Sequence, residues 1–99
     1  MDPALVGIWT SDMNDSVTKN NLGNVTMTFT NEGKLIYDLY EGKKLQRMFM
    51  TYHIIGDTII SDQQSNPQEQ KTKYKLIDKD QLILEFDGIK TVFKRVTIK

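Results

Sequence analysis

The chain contains no cysteine, no excess of either charge and a single histidine. Without cysteine there is no disulfide framework, no thiol chemistry and no thiolate metal site. Thirteen basic residues balance thirteen acidic ones, so nothing in the charge invites DNA, RNA or an acidic membrane surface. No apolar run approaches the roughly 18 residues that a spanning helix needs. No basic segment followed by an apolar one opens the sequence, so no signal peptide is visible. The compartment stays open on this reading: an export signal or lipid anchor would belong to a longer precursor. No stretch keeps a helical period over three turns, and no internal repeat or linker divides the 99 residues, which are expected to form one domain over 1–99.

What is present is a period of two. "NVTMTFT" alternates Val25, Met27 and Phe29 with threonine. "MFMTYHI" sets Met48, Met50, Tyr52 and Ile54 on one face, "TKYKLI" does so with Tyr74 and Leu76, and "QLILEF" with Leu82, Leu84 and Phe86. This is the pattern of half-buried antiparallel strands. Eight strands are predicted, at about 5–12, 24–30, 34–41, 46–55, 58–64, 71–77, 81–86 and 89–97.

The turns test the faces. Asp87-Gly88 and Gly56-Asp57 suit two-residue hairpins, and Asn31-Glu32-Gly33 suits a three-residue loop. A two-residue loop pairs Phe86 with Ile89, which places Phe93 and Arg95 on the face of Leu82 and Leu84. The same logic joins Ile54 to Ile59 and then Ser61 and Gln63. It joins Phe29 to Leu35, Tyr37 and Leu39, and, across a loop at 78–80, Leu76 to Leu82. Eight strands with one apolar face hide it in a closed barrel or a tight sandwich, and closure also removes exposed edges. The polar stretches 12–23 and 64–70, the latter with Pro67, read as surface loops, the first with room for a short helical turn.

At the N-terminus, Asp2-Pro3 is a good helix start, so a short helical turn over 3–6 is expected to plug one end. Gly7 then bends the chain into the first strand, where Trp9, the only tryptophan, faces inward. Arg95 faces inward on the last strand. First and last strands are neighbours in a closed barrel, so the guanidinium is expected to stack on the indole.

Gly7-Ile8-Trp9, the hairpin Phe29 to Gly33 and the ending Phe93 to Arg95 resemble the lipocalin and calycin group, and most of all small bacterial lipocalin-like domains. The resemblance runs over nearly the whole chain as a pattern of short motifs. It implies an eight-stranded antiparallel up-and-down β-barrel with Gly7, Trp9 and Arg95 as a structural signature, and a cavity for a small apolar ligand. Three features of the group are missing: the Thr-Asp-Tyr motif, the helical lid, for which the stretch 12–23 is too short to form a helical hairpin, and the Arg-x-Tyr pair that holds a fatty-acid carboxylate, since Val96 and Thr97 follow Arg95.

Catalytic chemistry has little to work with. His53 has outward parity and lacks the companions that a metal site needs. No acidic pair lies on the inward face, and no Gly-rich loop cradles a phosphate. An enzyme that merely confines its substrate, such as an isomerase or cyclase, would need buried titratable groups that the sequence barely supplies. No cofactor is implied.

The inward residues Met27, Tyr37, Leu39, Met48, Met50, Tyr52, Tyr74 and Leu84 are the candidate ligand contacts, with Ser61 and Gln63 as further polar points. Methionine adapts to irregular ligands but also plugs core gaps, and an eight-stranded barrel is just small enough to be filled by its own side chains. Hollow and filled barrels are both consistent with this face. A filled one would leave an interaction module. Its surface would be the outward apolar residues Ile36, Tyr40, Phe49, Ile55, Ile60, Ile77 and Ile83, several of them on the third to fifth strands, where a homodimer would form.

Overall fold

A computed structural model describes residues 2–63 and 69–97. It is all-β apart from one short helix. The elements are β1 (Gly7–Ser11), α1 (Ser16–Asn21), β2 (Asn24–Phe29), β3 (Lys34–Glu41), β4 (Lys44–Ile55), β5 (Thr58–Asp62), β6 (Gln70–Asp78), β7 (Gln81–Phe86) and β8 (Ile89–Arg95). Each strand pairs antiparallel with the next, and β8 pairs with β1, giving a closed eight-stranded up-and-down barrel.

The registers follow the turns. Phe29 pairs with Leu35, Ile54 with Ile59, Leu76 with Leu82, and Phe86 with Ile89. Asp87 and Gly88 both have positive φ, 54° and 79°, the conformation of a two-residue turn that matches strand twist. The β6–β7 turn is tighter than the expected loop at 78–80. Asp78 pairs directly with Gln81, and a register shift between Leu76 and Asp78 absorbs Ile77 as a bulge.

Strand ends differ modestly from the expectation. β1 starts at Gly7, because residues 2–5 form a turn closed by the Leu5 amide on the Asp2 carbonyl at 3.0 Å. β4 starts at Lys44 and β8 ends at Arg95. The helix lies in the first long connection. Asp15 caps it, accepting from the Thr18 amide at 3.0 Å and the Thr18 hydroxyl at 2.6 Å. Those two bonds hold the Asp15 carboxyl below its ordinary pKa. Most of the second polar stretch, 64–68 with Pro67, lies outside the described residues.

Strand direction gives the barrel two ends. The turns 31–33, 56–57 and 79–80 share one end with residues 2–6. Helix α1 and the turns 42–43 and 87–88 share the other. Trp9, Leu5, Phe29, Leu82 and Phe93 are essentially fully buried. The end bearing residues 2–6 is sealed. Trp9 Nε1 donates to the Leu5 carbonyl at 2.9 Å. Arg95 lies 4.2 Å from the indole centroid. Its Nη1 donates to the Val6 carbonyl at 3.0 Å, its Nη2 to Ala4 at 2.6 Å, and its Nε to Lys79. One guanidinium thus stitches the N-terminal segment, the β6–β7 turn and the first strand together.

Outside, Tyr40, Phe49, Ile55 and Ile77 are exposed, Ile36 and Ile83 are half-buried, and Ile60 is buried at 7%. Ile60 departs from its expected exposure. It points outward but is flanked in register by His53 and Lys71, whose long side chains share that face. Leu45 joins the exposed set, because β4 begins earlier than expected.

Candidate functional site

The helix-bearing half of the barrel is hollow. A cavity of about 430 Å³ opens beside α1. This volume lies within the range of small-molecule sites, roughly 300–1,000 Å³.

The cause lies in side-chain volume. Toward the sealed end the inward positions carry Leu5, Trp9, Tyr52, Leu82 and other bulky residues. Toward the open end, β5, β6 and β8 place Ser61, Thr72 and Thr91 inward instead. Small side chains there leave the lumen unfilled. Phe29, Leu35, Ile59 and Phe93 form the floor, and Met27, Met48, Met50 and Leu84 form much of the wall. Asn21 and Leu22 from the helix end, with Phe86 and Ile89 from either side of the β7–β8 turn, form the rim. That position explains why Phe86 and Ile89, inward by parity, are 49% and 40% exposed.

Five of the eight candidate contacts line this space: Met27, Tyr37, Met48, Met50 and Leu84. The other three do not. Leu39 is inward and packs against the core without reaching the cavity. Tyr52 lies toward the sealed end, edge-on to Phe29 with ring centroids 5.0 Å apart. Its hydroxyl donates to the Thr30 carbonyl at 2.6 Å. Tyr74 is also at that end, its hydroxyl donating to Asp2 Oδ2 at 2.8 Å. Parity alone shows that these tyrosines face inward. Their depth follows from which turns share an end with residues 2–6, a signal present in the strand order.

The cavity is chemically two-sided. The Tyr37 phenol and the Ser61 and Thr72 hydroxyls make no hydrogen bond to a described residue. Burial raises the pKa of Tyr37, which keeps its phenol protonated and able to donate. Ser61 and Gln70 are register partners, and Thr72 lies on the same face two residues further along β6. These three form a polar wall on β5–β6. Across the lumen, β2 to β4 present Met27, Leu35, Met48 and Met50.

Among the described residues no cluster of donors could hold a metal ion. His53 is exposed on the outer face. No family model matches the chain, and no curated protein matches it.

Proposed function

We propose that this barrel binds one small apolar or amphipathic molecule in its helix-side cavity. The observation that carries this reading is a 430 Å³ lumen with a mainly apolar lining, open at one end. A site of this kind buries most of a small ligand and orients it with a few polar groups. The three methionines suit an irregular apolar shape, since the thioether chain has several low-cost rotamers. The lipocalin-like pattern of Gly7, Trp9 and Arg95 is consistent with the same role. A fold alone does not imply a function, so the cavity is the stronger support.

Native mass spectrometry of protein purified from its own host, followed by solvent extraction, tests this. The expected result is one co-purifying small molecule, absent from a folded Met50→Trp variant. Protein that carries no molecule and takes up no apolar dye would overturn the reading.

A second reading rests on the outer face of β3–β4. Phe49 is 65% exposed and Leu45 51%, with Ile36 and Tyr40 as their register partners. Such a patch would serve self-association. Light scattering that shows a concentration-dependent mass, abolished by Phe49→Glu, would favour it.

A further inference from the structure

We infer that the ligand is two-faced along its length, with hydroxyl, carbonyl or amide groups on one edge and hydrocarbon on the other, and is not a polar head on an apolar tail. This rests on the cavity-binding reading and deepens it. The hydrogen-bonding side chains of the lumen gather in one sector, on β5 and β6. Thr72 is the register partner of Ile59, a floor residue, and Ser61 is the partner of Gln70. Gln63 follows Ser61 by two residues, and all four polar side chains belong to the lining. Asp62 shares the outward parity of Ile60 and takes no part. Two residues of strand advance roughly 7 Å, so this polar strip climbs from the floor toward the mouth.

Polarity in the lumen therefore does not follow depth. The mouth carries Leu22, Phe86 and Ile89, while Thr72 stands at the level of the floor. Other polar groups of the lining are engaged or isolated. Thr91 donates to the Leu84 carbonyl at 3.5 Å, and Asn21 Nδ2 to the Val17 carbonyl at 2.8 Å. Tyr37 stands between its apolar register partners Met27 and Met48.

A head-and-tail amphiphile does not match this lumen. Its tail would strip water from Ser61, Gln70 and Thr72 without replacing the lost hydrogen bonds, which costs binding energy. Its head would sit among Phe86 and Ile89. A ligand with polar groups on one edge pairs that edge with the strip, and its other edge packs against the adaptable methionines of β2 and β4. Ser61 and Thr72 are diagonal neighbours across β5–β6, so their side chains stand roughly 7 Å apart. That spacing suits two ligand hydroxyls several bonds apart, not two on adjacent carbons.

Displacement of a neutral dye, N-phenylnaphthylamine, by two isomers tests this. Decane-1,2-diol is polar at one end, and decane-1,5-diol is polar along one edge. Both are titrated below micelle formation into the wild type, Thr72→Val and Ser61→Ala, with circular dichroism to confirm that each variant folds. The 1,5-isomer is expected to displace the dye at about fivefold lower concentration, the gain from one further neutral hydrogen bond. That preference should vanish in either folded variant. A 1,2-isomer that competes as well as the 1,5-isomer would overturn the inference and leave cavity binding intact. So would a bound dye that neither isomer displaces, or a preference unchanged in both variants. Failure of the dye itself to bind would count against cavity binding as a whole, and so would be distinct from failure of the two-faced match.

Discussion

Arg95 lies over Trp9, 4.2 Å from its ring, and both residues are tied to the same N-terminal segment. Trp9 donates to Leu5 and Arg95 donates to Val6 and Ala4. The pair therefore acts as a clasp that holds residues 2–6 across the barrel end. The cavity lining contains neither residue. Changes to the clasp should alter stability before they alter binding.

Gly7 is the most constrained residue of that clasp. Its φ is +140°, and a Cβ there would lie 2.5 Å from Arg95 Nη1. Gly7→Ala is therefore expected to cost about 1–3 kcal/mol, from backbone strain and the displaced guanidinium. Urea unfolding checks this. A midpoint equal to the wild type's would show that Arg95 does not need the space above Gly7.

Arg95→Lys keeps the charge but loses the fork that reaches three carbonyls. A loss of about 2 kcal/mol is expected, on the scale of hydrogen bonds to charged groups. Near-ultraviolet circular dichroism should report a changed Trp9 environment, since Trp9 is the only indole. An unaltered spectrum with unaltered stability would contradict the clasp.

Thr18 joins the helix to the barrel. It is fully buried, its hydroxyl donates to Asp15 and accepts from the Val92 amide at 2.7 Å. Thr18→Val preserves shape and removes both bonds. It is expected to cost about 1–3 kcal/mol, because the Val92 amide loses its partner. The same change loosens the helix that carries Asn21 and Leu22 to the rim, so dye dissociation should also quicken. Thermal unfolding and stopped-flow release measure the two effects.

Alkaline stability should report the tyrosines. Tyr74 is pushed up to about 12, first by burial and then by its bond to the Asp2 carboxylate. An unfolded tyrosine titrates at about 10. Its contribution is thus fully present below pH 10 and is lost as the pH rises toward about 12. Tyr37 and Tyr52 are also raised, chiefly by burial, and act in the same direction. Tyr74→Phe should lower the urea midpoint at neutral pH and flatten its decline above pH 10. A decline as steep as the wild type's would place the alkaline transition elsewhere.

Most of the architecture was legible because a strand has two faces and each turn fixes its register. Phe29 with Leu35 and Phe86 with Ile89 follow from residue types alone. The cavity was harder. Parity separates inward from outward but carries no depth, so Tyr52 and Tyr74 looked equivalent to Met50. Whether the lumen is hollow depends on summed volumes across strands. The relevant signal was the change from Ile59 to Ser61 along β5, and from Tyr74 to Thr72 along β6, both toward the open end. The outer face had its own surprise in Ile60, where flanking long side chains override exposure by parity.

Fluorescence titration of N-phenylnaphthylamine into the wild type, Met50→Trp and Tyr52→Phe addresses the cavity itself. One saturable site is expected in the wild type. It should be lost in Met50→Trp, which fills the lumen, and kept in Tyr52→Phe, which changes only the sealed end. Equal uptake by all three proteins, or none by the wild type, would contradict a ligand-binding barrel.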